Sequence, residues 1–258
     1  MSPKLLHLVG PIYIHAYGLF IAIGIALTLF ALQQDKKFLK IMPFELLLSI
    51  TYKVIFAGII GGRLLWAAEN RDFVNSYSTI FKLWQPGYSI LGTLIAAFLT
   101  LFFLLKKNNI YPFLVLDKLA LYIPIAQAFG RMGCFFTGCC YGIATSVPWA
   151  ISYTHPDTLA PLHVLLHPTQ LYSATFYCFL FISLYSLQSW FRTTGQLTGL
   201  YIMGASFERF AVDFLRADRT LIGSRLSLLQ YVAVGIFCVG CIIFYVAGHA
   251  KRKQLKPL

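Results

Sequence analysis

Seven runs of apolar residues, each about as long as a membrane-crossing helix, take up most of this chain, at approximately 14–33, 46–66, 88–105, 112–130, 168–188, 197–215 and 228–247. A helix needs about 20 mostly apolar residues to cross the ~30 Å hydrocarbon core of a bilayer. Of the 258 residues, 58% are hydrophobic and 12% charged, against about 25% charged in a soluble domain. An ordinary soluble enzyme is therefore excluded. A length that would suggest about two soluble domains is read instead as one polytopic membrane domain over residues 1–258. The expected fold is an all-α integral membrane protein with about seven transmembrane helices. No basic segment followed by a small-residue cleavage site precedes the first run, so that run is expected to remain as a span. No internal repeat, low-complexity tract or heptad pattern argues for a solenoid or a coiled coil.

The formal charge is +12, from 21 Lys and Arg against 9 Asp and Glu. On a soluble chain that excess would suggest nucleic-acid binding. Here much of it sits in short clusters beside the apolar runs: Lys36, Lys37 and Lys40, then Lys106 and Lys107, then Lys251, Arg252, Lys253 and Lys256. Such clusters mark the cytoplasmic ends of spans. With Arg192 they favour a periplasmic N-terminus and a cytoplasmic C-terminus, although Arg71, Lys82, Arg219 and Arg225 count the other way. The partner implied by the charge is a lipid bilayer and not a nucleic acid. The segment 131–167, between spans four and five, then becomes a periplasmic loop or small head subdomain, a length of loop that usually carries function.

An arginine at the centre of a bilayer helix costs at least about 2.5–3.5 kcal/mol, yet this chain has several in or beside its spans. Arg63 follows Gly61 and Gly62 in the second span, Arg131 ends the fourth in FGRMG, and Arg209 and Arg216 sit on or just beyond the sixth. Spaced i, i+4 and i+7, Arg209, Asp213 and Arg216 share one helical face. They could form an internal ion-pair ladder, with Glu208 on an adjacent face. Alternatively, their surplus positive charge could bind an anionic group such as a lipid phosphate through bidentate hydrogen bonds. Gly130 and Gly133 beside Arg131 would let backbone N–H groups approach that phosphate.

In HPTQLY at 167–172, Pro168 suits a helix first turn and places His167 at the interface, as a hydrogen-bonded anchor or as a catalyst. Tyr17, with Gly18, is by itself an ordinary interfacial tyrosine. Cys178, Cys238 and Cys241 fall inside apolar runs, whereas Cys134, Cys139 and Cys140 share one Gly-rich stretch. Those three could be a redox pair with a spare thiol, a metal site completed by His155, His163 or His167, or small residues in a tight turn. The spacing of Cys134 and Cys139 matches no standard zinc pattern. Asp117 and Lys118 in the fourth span have no evident role.

In order along the chain, Tyr17-Gly18, GGRL at 61–64, FGRMGCFFTGCCYG at 129–142, HPTQLY and RFAVDFLRAD at 209–218 together resemble the prolipoprotein diacylglyceryl transferase family of bacterial inner-membrane enzymes. The most specific piece, at 129–142, is similar to the family signature Gly-Arg-x-Gly-Asn-Phe-x-Asn-x-Glu-x-x-Gly. The resemblance implies seven transmembrane helices. It also implies transfer of a diacylglyceryl group from phosphatidylglycerol to the lipobox cysteine thiol in the signal peptide of a prolipoprotein. That chemistry requires neither a metal nor an organic cofactor. Carried over residue by residue, Arg131 binds the donor phosphate and Arg209 assists the leaving group, with Arg63 and Arg216 as outer supports. Tyr17 belongs to the donor pocket, and Gly130, Gly133 and Gly142 shape the signature loop.

Several positions depart from the family pattern. Cys134 and Thr137 stand where the signature has Asn, and Cys139 where it has Glu. Leu91, in GYSILG, replaces a His, and Ala205 replaces a Tyr one turn before Arg209. The phosphate-binding arginines are thus expected to be retained while proton handling is rearranged, with His167 the nearest imidazole in sequence. The rival readings are a paralogue with another lipid donor or acceptor, and a membrane thiol oxidoreductase using Cys134, Cys139 and Cys140. The CxxC pairs usual in such oxidoreductases are missing.

Overall fold

The computed structural model describes residues 3–9, 12–70, 87–191, 193–222 and 225–249. The basic positions Arg71, Lys82, Arg192, Lys251, Arg252, Lys253 and Lys256, which enter the orientation argument, lie outside the described residues. An antiparallel hairpin, β1 (Lys4–Val9) and β2 (Ile12–His15), leads into α1 (Ala16–Gln34). Then come α2 (Lys36–Leu39), α3 (Phe44–Glu69), α4 (Ile90–Lys107), α5 (Pro112–Thr137), α6 (Thr169–Leu187), α7 (Gln196–Asp213) and α8 (Leu228–His249). A second small hairpin, β3 (Leu221–Ile222) and β4 (Leu226–Ser227), precedes α8.

The seven longer helices fall on the seven expected runs. Six of them are long and apolar enough to cross a membrane. The exception is α7, where Glu208, Arg209 and Asp213 interrupt the apolar sequence. Phe30, Phe56, Phe98, Phe103, Ile182 and Ile242 are each more than half exposed, an arrangement that suits lipid and would be a liability in water. These features are those of an integral membrane protein.

Two compact units make up the chain, Asp35–Val115 and the pair of segments Met1–Gln34 and Leu116–Leu258. In the first of these, Asp35 caps α2 by accepting from the amides of Lys37 and Phe38, each at 3.0 Å. Glycines let α3 and α4 meet backbone to backbone. A Cβ placed on Gly61 would lie 2.8 Å from the Gly92 carbonyl oxygen, and one on Gly92 would lie 2.6 Å from Leu65 Cβ. Helices in lipid gain little from hydrophobic association with one another, so close packing of small residues takes its place.

The two-segment unit uses the same device twice. A Cβ on Gly24 of α1 would lie 3.0 Å from Ala126 Cα of α5, and one on Gly199 of α7 would lie 2.9 Å from the Gly240 carbonyl oxygen of α8. Phe20 of α1 and Phe136 of α5 stack with centroids 5.0 Å apart.

Asp117, which the sequence left without a role, is 9% exposed and caps α7. Its carboxylate accepts from the Gly195 amide at 2.6 Å, the Thr198 amide at 2.8 Å and the Thr198 hydroxyl at 2.6 Å. A carboxylate at a helix N-terminus satisfies amides that have no intrahelical partner and sits favourably in the helix dipole.

Helix α5 continues to Thr137, seven residues beyond the expected end at 130, so Arg131 and Cys134 are helical. The segment between α5 and α6, expected as a loop or small head, therefore begins at about residue 138. It is held by isolated bridges, Ala144 and Ile151 both to Leu166 and Tyr153 to Leu162. Tyr153, Ala160 and Leu166 form its small core. The Tyr153 hydroxyl donates to the Phe135 carbonyl at 3.1 Å and fastens the head to the end of α5.

Replacing Asp117 with Ala would leave buried amides of α7 unsatisfied, and is expected to destabilise the protein by about 2–3 kcal/mol. Asp117→Asn, which keeps one acceptor oxygen, should lose less. Thermal unfolding in detergent, followed by helical circular dichroism, measures both.

Candidate active site

The buried carboxylate of Glu208, 1% exposed, sits where α5, α6 and α7 converge. Ser173 and Tyr177, one turn apart on α6, both donate to it. The Ser173 hydroxyl meets Oε1, and the Tyr177 hydroxyl meets Oε2 at 3.0 Å. Arg131 of α5 reaches the same oxygen from 3.9 Å with its side chain 20% exposed. A buried carboxylate is tolerable only with such partners. The arrangement fixes the registers of three helices against one another.

A second group of charges gathers at the C-terminal end of α7. Asp213, 1% exposed, accepts from Ser227 Oγ at 2.5 Å and pairs with Arg209 at 3.5 Å and Arg219 at 3.9 Å. The Arg209–Asp213 pair is the expected i, i+4 contact. Arg216 does not extend that face, because α7 ends at Asp213. It lies in the following turn, bridged to Gly142, and binds Asp218 through two hydrogen bonds of 2.8 and 2.5 Å. The Arg216 guanidinium holds the Asp218 carboxyl below the usual carboxylate range.

Arg131, Arg209 and Arg216 are near enough to influence one another electrostatically, so these three expected site arginines do come together. They differ in how fully they are engaged. Arg216 is held bidentately and is 8% exposed. Arg131 and Arg209 meet carboxylates only at 3.9 and 3.5 Å, and neither donates a hydrogen bond to a described residue. Both therefore keep guanidinium N–H groups with no hydrogen-bond acceptor among the described residues.

The signature stretch has a different local structure from the loop expected. Gly130 and Gly133 are inside α5, where backbone amides serve the helix ladder, so they offer no amide cradle. Gly133 instead admits α1, since a Cβ there would lie 3.1 Å from Tyr17 Cα. Tyr17, 44% exposed, is thereby held within electrostatic reach of Cys134 and Arg131.

Beyond Thr137 the chain turns sharply, with Gly138 at φ 74° and Cys140 at φ 56°. A non-glycine residue in the left-handed region is strained and needs outside support. Thr169 and Gln170 supply it from the first turn of α6. The Thr169 hydroxyl donates to the Cys140 carbonyl at 2.7 Å, and the Gln170 amide to the Cys139 carbonyl at 2.7 Å. The turn brings the sulfurs of Cys134, Cys139 and Cys140 within 4.8 Å of one another. Within it the Cys139 thiol donates to the Cys134 carbonyl oxygen at 3.8 Å. This sulfur cluster was not legible from spacing, because a helix end and a left-handed turn create it.

His167 is half-buried, with Nδ1 3.2 Å from the Tyr172 hydroxyl, which in turn accepts from Trp149 Nε1 at 2.6 Å. Its backbone carbonyl accepts from the Gly142 amide at 3.2 Å. A Cβ on Gly142 would lie 2.6 Å from that carbonyl oxygen, so glycine is required for this approach. Sequence reasoning singled out His167 in HPTQLY and missed Thr169 and Gln170, the residues that hold the cysteine turn. It also missed Ser173 and Tyr177, whose only signal was a polar pair at i, i+4 in an apolar helix.

Arg63 belongs to the other unit, Asp35–Val115. It is 1% exposed, donates to the Gly87 carbonyl at 2.6 Å and lies over the rings of Trp66 and Tyr88, at 4.8 and 5.4 Å from their centroids. Leu91, in the same unit, is 58% exposed. Ala205 lies one turn before Arg209 on α7 and leaves that position without a polar group.

Fold and site define a class: an integral membrane protein with buried carboxylates and arginines paired along α7 and just beyond its end. Residues 3–246 match the family described as prolipoprotein diacylglyceryl transferase, and the chain belongs to that family. It is 31% identical to the phosphatidylglycerol–prolipoprotein diacylglyceryl transferase of Clostridium tetani, over 98% of this chain and 100% of the relative. It is also 31% identical to the enzyme of that name from Methylococcus capsulatus, over 94% of each chain, and 29% identical to that of Vibrio atlanticus, over 97% of this chain and 93% of the relative.

Two substitutions test the charge pairing. Glu208→Ala strips Arg131, Ser173 and Tyr177 of their shared acceptor, and should destabilise the protein by about 3 kcal/mol, the lower end for a broken buried pair. Thermal unfolding in detergent reports it. Asp218 has a folded pKa below its unfolded one, so its contribution is present above the unfolded value of about 3.9 and is lost as pH falls through the folded value. Because Asp218 is itself 53% exposed, Asp218→Asn should cost no more than about 1 kcal/mol near neutral pH. That difference from wild type should shrink as the pH is lowered from neutral through the unfolded value of about 3.9 towards the folded one, as melting curves across that range would record.

Proposed function

We propose that this chain transfers the diacylglyceryl group of phosphatidylglycerol to the lipobox cysteine thiol of prolipoproteins, the first step of bacterial lipoprotein maturation. The observation that carries the reading at this site is the state of Arg131 and Arg209: two neighbouring guanidinium groups, each tethered to a carboxylate at long range, each with N–H groups to spare.

In the reaction the acceptor sulfur attacks a glycerol carbon of the donor. The carbon–oxygen bond to phosphate breaks, and the oxygen departs with the electron pair as glycerol phosphate. Negative charge builds on the leaving phosphate, so donors already aimed at it lower the barrier. Arg131 binds the donor phosphate and Arg209 stabilises the leaving group. Arg216, locked to Asp218, is an outer support on this reading, as is Arg63. Tyr17, Gly133 and Gly142 shape the donor pocket and its wall, and His167 is the imidazole assigned to proton handling. An apolar groove between α5 and α6, lined by Ala128, Phe129, Met132, Leu171, Ala174 and Cys178, offers a path for an acyl chain beside Arg131.

The seven long helices are read as seven spans of the bacterial inner membrane, with a periplasmic N-terminus and a cytoplasmic C-terminus. The head between α5 and α6 then faces the periplasm, where secreted prolipoproteins are presented.

Purified Arg131→Ala protein, incubated with phosphatidylglycerol and a lipobox peptide, should lipidate the peptide about 10²–10³-fold more slowly than wild type by mass spectrometry. Arg131→Lys should recover part of the loss, since it restores charge without the planar fork. Lipidation by Arg131→Ala at the wild-type rate would refute the assignment.

A further inference from the structure

The cluster of Cys134, Cys139 and Cys140 is not used by the mechanism above, and its construction is that of a site. All three sulfurs lie within 4.8 Å of one another and all three cysteines are free. The turn presenting two of them is strained at Cys140, with φ 56°, and is held by the buried side chains of Thr169 and Gln170, 1% and 0% exposed. Two sulfurs bound to one tetrahedral ion at about 2.3 Å sit roughly 3.8 Å apart, a small contraction from the spacing seen. Among the described residues no fourth Cys, His, Asp or Glu joins the group. Arg131 and Arg216 lie within electrostatic reach of Cys140, and their positive charge offsets that of bound thiolates.

We propose that Cys134, Cys139 and Cys140 bind one zinc-type divalent cation as thiolates, leaving the fourth coordination position open for the acceptor thiol. Three sulfur ligands select a soft or borderline ion, and a site with three protein ligands and one open position is the arrangement of a catalytic zinc site. A thiol that coordinates such an ion is deprotonated. The acceptor S–H proton goes to solvent as the sulfur binds, in place of the transfer assigned above to His167. The metal-bound sulfur then supplies the electron pair for the new carbon–sulfur bond, while the carbon–oxygen pair leaves with the phosphate. This second step rests on the transferase reading; the ion site does not. It also gives the cysteines a role at positions where the family pattern has Asn and Glu, in a chain that has Leu91 and Ala205 in place of a His and a Tyr.

The test uses the full chain, purified in detergent with its thiols reduced and its metal removed, and Co²⁺ as the probe. One equivalent of Co²⁺ should produce a sulfur-to-cobalt charge-transfer band and the intense visible bands of a tetrahedral ion, both erased by Zn²⁺. Cys134→Ser, Cys139→Ser and Cys140→Ser should each weaken binding by more than the roughly 10–100-fold loss typical of an outer-shell partner, while Cys178→Ser and Cys238→Ser should leave it unchanged. A lipobox peptide should shift the cobalt spectrum, and the same peptide with Ser for Cys should not. The ion site is overturned by absence of the charge-transfer band, by sub-stoichiometric binding, or by a preference for Cu⁺. The open position is overturned if the thiol peptide leaves the spectrum unchanged. Lipidation of the peptide by the metal-free protein at full rate would overturn the catalytic role, while lipidation by neither form would count against the transferase reading without touching the spectroscopic result.

Discussion

A guanidinium inside a helix bundle in lipid persists only where a carboxylate or a set of hydrogen-bond acceptors meets it, and the functional unit of this protein is organised by that requirement. Glu208 faces Arg131, Asp213 faces Arg209 and Arg219, and Asp218 faces Arg216. Two of these carboxylates, Glu208 and Asp213, join elements that sequence alone does not connect. Glu208 ties α7 to α5 and, through Ser173 and Tyr177, to α6. Asp213 ties the end of α7 to the start of α8 through Ser227. The pairs are uneven: the contact of Arg216 is short and bidentate, whereas Arg131 and Arg209 meet their carboxylates at longer range.

Close approach of backbones supplies the rest of the positioning. Gly133 lets α1 carry Tyr17 against α5, and Gly142 lets the strand after the cysteine turn lie against the His167 carbonyl. The head is small, with a three-residue core, yet it is anchored by Tyr153 to the end of α5 and by Thr169 and Gln170 to the cysteine turn. The motif HPTQLY therefore has two jobs. Its histidine faces a tyrosine that is also bonded to Trp149, and its threonine and glutamine hold a strained backbone in place.

Two of the departures from the family pattern, Cys134 and Cys139, come together in space. Leu91 and Ala205 remove polar groups, while Cys134 and Cys139 replace an amide and a carboxylate, and these two sulfurs end beside Cys140. The change is from oxygen and nitrogen ligands to sulfur at one location, and it leaves Arg131 and Arg209 in place.

The sequence by itself determined the class of fold and the family. Spans follow from apolar runs of about 20 residues because the bilayer thickness imposes that length locally, and seven such runs became seven long helices. The arginines stood out because a charge in such a run is costly wherever the chain folds. The Arg209–Asp213 contact was legible too, since i, i+4 spacing is a property of one helix. What only the tertiary structure decided is what depends on where helices end and which faces meet. The sequence placed the end of α5 at 130, yet the helix runs on to Thr137 and makes Gly130 and Gly133 packing residues. The face shared by Arg209 and Asp213 seemed to extend to Arg216, but α7 stops first. Asp117 gained its role only when α5 met the N-terminus of α7. The three cysteines became neighbours only through a left-handed turn pinned from another helix. Local periodicity encodes a helix and its face, whereas partner choice across helices is set by packing that no spacing records.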